Sequence, residues 1–222
     1  MAEIVQKAEA PNPPTNPLHI QQYALDSFHH LFVQFLDALA ETFEDTALGS
    51  LVREQKLKYN MAITHCFNSD KKIEKQREIM KVYHTQMKPH FNAVNDNNLD
   101  FAGQVDILKE INMEQILVQA DVETKETILE YLKNMNQSAI MYSVYDNIPT
   151  GLLSSIGNVA QNMQDPTQLD MASVSQSLMS EVNQNDIQKF AMNMVENQSA
   201  LQDLCTLAAS SLKQQQNQNQ KQ

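Results

Sequence analysis

The chain has no tryptophan and only 4 glycines, 7 prolines and 2 cysteines among 222 residues. So few turn formers argue against an all-β sandwich or barrel, whose many short strands need a turn at each end. Cys66 and Cys205 are too few and too far apart for a disulfide framework or a metal-type pair, and suit reduced thiols inside a cell. Basic charge is also short. With 27 acidic and 16 basic side chains the formal net charge is -11, which disfavours general nucleic-acid binding because phosphate contacts need cationic surface. No apolar run approaches the ~20 residues of a membrane span. The first residues lack the basic start and apolar stretch of a signal peptide, so an unsecreted protein is expected. What is abundant is side-chain amide: 20 Asn and 25 Gln, beside an ordinary 42% of hydrophobic residues.

Those hydrophobic residues recur at helical spacing, which predicts an all-α fold. Phe28, Leu31, Phe32, Phe35, Leu36, Leu39 and Phe43 fall at steps of three and four, one stripe on a helix over 20–43. A second helix is predicted over 47–67, with Leu48, Leu51, Val52 and Leu57 facing inward. Ser69 is placed to cap a third, with Ile73, Ile79, Met80, Tyr83 and Met87 on one face. Pro89 should end it near Gln86, since the residue before a proline avoids helical geometry. Asn92 to Asn98 reads as a turn. A short helix over 100–111 and a broken piece over 113–118 follow. Asp121 then caps a long helix with Ile128, Leu129, Leu132, Met135, Ala139 and Tyr142 as its stripe, closed by Asn147-Ile148-Pro149.

Four segments result. Residues 1–17 carry Pro11, Pro13, Pro14 and Pro17 and predict a flexible arm. Residues 18–148 form a helical bundle. Residues 149–212 change character: no Tyr, one Phe, and short helices around Leu169 to Met179, Ile187 to Met194 and Leu201 to Leu212, set among Ser, Asn and Gln. The tail 213–222 holds nothing apolar to offset its ordering entropy and is expected to be disordered. Charge follows the same division. Residues 1–90 are nearly neutral, 91–222 carry a net of -10, and 53–88 hold a local excess of +5.

Histidine and cysteine are the side chains here best suited to metal or nucleophile chemistry. His29 and His30 are adjacent, so on a helix they point about 100° apart and cannot ligate from one face. Asp26 and His29 could share a face, but no Glu-x-x-His or His-Glu-x-x-His occurs. His84 and His90 straddle Pro89. Cys66 beside His65 invites a nucleophile reading, yet neighbours on a helix diverge, and a small core thiol is the simpler account. Histidines that finish helix surfaces, partly exposed, are expected, with no metal, cofactor or catalytic group. Gly49, Gly103, Gly151 and Gly157 are isolated, so no phosphate loop exists, and no nucleophile elbow is present.

Two features are candidate contact faces for a protein partner. One is the basic run on the third helix, Lys71, Lys72, Lys75, Arg77, Lys81 and Lys88, either a solvated face with Glu74–Arg77 and Glu78–Lys81 pairs or a docking face for an acidic partner. The other is the methionine set Met163, Met171, Met179, Met192 and Met194, whose unbranched, polarizable side chains adapt to apolar helices. The expected function is therefore non-catalytic, a protein-interaction or structural role. The rival readings are a metal protein or enzyme built on His29, His65, Cys66, His84 and His90, and a nucleic-acid factor using the basic helix.

The runs FLDALAETFEDTALGSLV (35–52) and LEYLKNMNQSAIMYSVYDNIP (129–149), with the Met-, Asn- and Gln-rich end, resemble small uncharacterised helical proteins of the nucleocytoplasmic large DNA viruses of algae and protists. The resemblance implies a viral helical protein in the host cytoplasm, the viral factory or the virion, and brings no catalytic residues. The stretch LMSEVNQNDIQKFAMNMVENQSALQDL (178–204) is similar to the Met-rich client-binding helices of co-chaperones, which implies capture of apolar helical segments.

Overall fold

The computed structural model describes residues 19–65 and 69–149, together with Gly151, Gln184, Asn185, Ile187, Gln188, Ala191 and Met192. The protein is all-α, with no strand among the described residues. The helices are α1 (Ile20–Thr42), α2 (Ala47–Thr64), α3 (Ser69–Met87), α4 (Phe91–Asn95), α5 (Asp106–Lys109), α6 (Met113–Gln119) and α7 (Val122–Asp146), with 3-10 turns at Lys88–His90 and Ala102–Gln104. The chain divides into two compact units, residues 1–11 with 25–139 and residues 12–24 with 140–222.

In the first unit, α1 carries the core. Phe28, Leu31, Phe32, Phe35, Leu36 and Leu39 are all buried, as their spacing predicts. Phe28 and Phe32 stack in parallel, Phe28 meets Tyr83 of α3, and Phe35 meets Tyr131 of α7. Ile128, Leu129, Leu132, Met135 and Ala139 of α7 are buried too. Tyr83 donates its hydroxyl proton to Asn136 Oδ1 at 2.8 Å, both side chains inside the core. In the second unit, Ala24, Ile140, Tyr142 and Val144 are buried, and Gln21 Nε2 donates to Asp146 Oδ1 at 2.8 Å.

Local chemistry sets the helix ends. Thr46 Oγ1 accepts the Gly49 amide proton and caps α2. Gly49 is required there: a Cβ would lie 2.1 Å from the Phe43 carbonyl oxygen, because the corner between α1 and α2 is closed that tightly. Arg53 donates to the carbonyl oxygens of Ala40, in the last turn of α1, and of Glu44, in the turn that follows it. Asp121 Oδ1 accepts the Thr124 amide proton at 2.8 Å and caps α7, as read from the sequence. That bond holds the Asp121 carboxyl below its usual range.

Some expectations are corrected. Leu57 is 60% exposed rather than inward-facing, since α2 buries only the side carrying Leu48, Val52 and Ile63. α2 ends at Thr64, short of residue 67. Phe91–Asn95 is a short helix, not part of a turn, because Phe91 and Val94 are both buried at helical spacing. The turn comes after it, with Asn97 at φ 59°, a left-handed position asparagine tolerates. The helix expected over 100–111 is split at Val105, whose backbone is extended. The predicted arm 1–17, the tail 213–222 and nearly all of the short-helix segment 149–212 lie outside the described residues.

Candidate interaction groove

Two features of the first unit combine polar and apolar groups in a way its core does not need. The first is a three-helix clamp at His29. The ring is 6% exposed, and both nitrogens are bonded. Nε2 lies 2.9 Å from the Gln76 carbonyl oxygen on α3. A carbonyl can only accept, so Nε2 carries the proton. Nδ1 is then the acceptor and takes the Tyr59 hydroxyl proton from α2. Burial pushes the imidazole down to about 4, with the Lys72 cation acting in the same direction against the Gln76 bond. Burial likewise pushes the Tyr59 phenol up. His29 is therefore a neutral tie between α1, α2 and α3, not the partly exposed surface histidine expected.

The other metal and nucleophile candidates are dispersed. Asp26 is exposed, while His29 is buried with both ring nitrogens already bonded within the protein. His30 and His65 are exposed. His84 tilts against Phe91, and His90 stacks on Phe101 with ring centres 4.8 Å apart. Cys66 and Cys205 lie outside the described residues. Among the described residues, no three His, Cys, Asp or Glu side chains are grouped as a metal site requires.

The second feature is a groove of about 830 Å³. Phe32 and Leu36 of α1 form its floor. α2 and α3, which both bond to the His29 ring, form its walls. Tyr59 and Ala62 face it from α2, and Ile79 and Val82 from α3. Ile107 and Ile111 close one end. Val82 is 48% exposed, and Ile79 and Ile107 are half-buried, so the mouth as well as the floor is apolar. Along α3 the lining runs from Lys75 to Gln86, three turns or about 16 Å.

The ends of the groove differ in charge. Lys58 and Lys75 lie toward the start of α3, against Glu78. Asp106 and Glu110 lie at the other end, which the 3.2 Å bond from Gln86 Nε2 to Asp106 places beside the end of α3. Lys58 is paired with Glu54, Lys75 with Glu78, and Asp106 with Lys109, all on exposed surface. Exposed Glu110 has no ion pair among the described residues.

Of the residues proposed from sequence as partner contacts, Lys75 alone lines the groove. Lys71, Lys72 and Lys81 are exposed on α3. Met192 is 65% exposed, while Met163, Met171, Met179 and Met194 lie outside the described residues. Sequence reasoning missed Val82, Ile107 and Glu110. The one available signal was Val82, an apolar residue off the buried Met80–Tyr83–Met87 stripe of its own helix. Among the described residues, no helix is long and apolar enough to cross a membrane. Compared with family models, curated proteins and solved structures, the chain matches none.

Proposed function

We propose that this protein is a non-catalytic interaction protein that seats an apolar-faced helix of a partner protein in the groove between α2 and α3. The observation that carries this reading is the apolar floor of Phe32 and Leu36, left open beneath Ile79, Val82 and Ile107. A groove of that length accepts about three helical turns, with anchors at i, i+4, i+7 and i+11. This reading places the contact face in the long-helix unit, beside the basic run of α3 that the sequence offered as one of two candidates; the other, the Met-rich set, lies outside the described residues except for Met192. The kinship with helical proteins of large DNA viruses, and with it work inside an infected cell, belongs to the same proposal. The rival metal reading loses its best-placed ligand, since both ring nitrogens of His29 already serve α2 and α3.

The test is a methyl NMR titration of the full chain with a 14-residue helical peptide carrying Leu at positions 1, 5, 8 and 12 and neutral ends. Shifts are expected at Ile79, Val82, Ile107 and Ile111, and Val82→Asp should abolish them while leaving the fold intact. Shifts confined to other methyl groups, or none at saturating peptide, would remove the reading.

A further inference from the structure

We propose that the groove selects partner helices by charge order: an acidic first turn, an apolar stripe and a basic last turn, seated parallel to α3. The inference rests on the groove reading above and specifies its ligand. Near the start of α3 the lining offers Lys58 and Lys75 against Glu78. Lys71, one turn before Lys75 and on the same side of α3, extends that end and has no ion pair among the described residues. At the far end Asp106 and Glu110 line the wall together.

The pairs already formed at the basic end are exposed, short-range and exchangeable, so an incoming carboxylate can take Lys71 outright and share Lys75. At the acidic end Glu110 offers an uncommitted carboxylate to an incoming Lys or Arg. The separation of the two ends along α3, about 16 Å, matches ten or eleven residues of a partner helix. A helix with acids in its first turn and bases in its last is also the arrangement its own macrodipole favours, so such a partner is pre-formed with the right polarity. Seating it the other way round would set acid against Asp106 and Glu110 and base against Lys71 and Lys75.

Fluorescence anisotropy on the full chain decides this, using three labelled 14-residue peptides with the same Leu stripe. One has Glu in the first turn and Lys in the last, one the reverse, and one Gln at both ends. At low salt the acid-first peptide should bind roughly tenfold more tightly than the base-first one, with the neutral peptide between them, and the gap should close toward ~0.5 M salt. The double variant Lys71→Glu, Glu110→Lys changes two exposed side chains and should erase the preference. Glu110→Lys alone, as a milder second variant, should halve it on a logarithmic scale. Equal binding of all three peptides, or tighter binding of the base-first one, overturns the inference and leaves the groove reading standing. Failure of all three to bind removes the groove reading itself.

Discussion

His29 and Tyr59 share a hydrogen bond in which the phenol donates to Nδ1, and the direction follows from the other side of the ring, where Nε2–H donates to the Gln76 carbonyl. One neutral imidazole therefore ties α1 to both walls of the groove. Tyr59 also tilts over Phe32, so the same clamp holds the groove floor against its α2 wall. Protonating His29 would place a cation in a site with 6% exposure, near Lys72 and with no carboxylate bonded to the ring.

The consequence for stability has a definite sign. The imidazole titrates near 6.5 when unfolded and about 4 when folded. Between those values the unfolded chain takes up a proton that the folded chain refuses. Stability from this group is complete above pH 6.5, falls as pH drops through the window, and is lost by about pH 4. The slope should approach ~1.4 kcal/mol per pH unit. Urea midpoints from pH 7.5 to 4.5 measure it, and a His29→Gln variant should show a flatter profile. Equal slopes in the two proteins would contradict the assignment.

Tyr83 and Asn136 form a buried pair joining α3 to α7. Tyr83→Phe leaves Asn136 Oδ1 without its donor and should cost about 1–3 kcal/mol. Adding Asn136→Leu should recover part of that loss, because the orphaned amide goes with it. A double variant less stable than the single one would mean that packing, not the hydrogen bond, dominates. Burial also pushes the Tyr83 phenol up, so its phenolate absorbance should appear only as the protein unfolds in alkali.

Gly49→Ala places a methyl 2.1 Å from a backbone oxygen, which cannot rotate aside as a side chain could. The corner between α1 and α2 must open, and a loss of about 2–3 kcal/mol is expected, read as a lowered thermal midpoint. Thr46→Ala, which removes only the cap to the Gly49 amide, should cost ~1 kcal/mol. If the cap variant proves the more damaging, the corner is less tight than the geometry states.

Leu57 and Met61 sit one turn apart on α2 and are 60% and 45% exposed. Changing both to Ser should leave the unfolding midpoint within ~0.5 kcal/mol of the parent, since little apolar area leaves the core. A larger loss would show that α2 buries more of its surface than the fold indicates.

The sequence by itself determined the long helices and several of their ends. The Phe and Leu spacing of α1, the stripe of α7, the Asp121 cap and the stop before Pro149 all depend on residues close together in the chain, so periodicity and capping chemistry reach them. It also indicated that His29 and His30 point apart, which follows from helical geometry alone. Only the tertiary structure decided which side of α2 is covered. Leu57 matches a helical stripe as well as Val52 does, and nothing local says that no helix packs over it. The same holds for Phe91–Asn95, where amides suggested a turn and burial of Phe91 and Val94 made a helix. The groove was beyond local reading altogether. Its floor comes from α1, its walls from α2 and α3, and its acidic end from α5 and the residues after it, segments up to 79 positions apart (Phe32 to Ile111) that share a surface only because the His29 ring and the aromatic core bring their helices together.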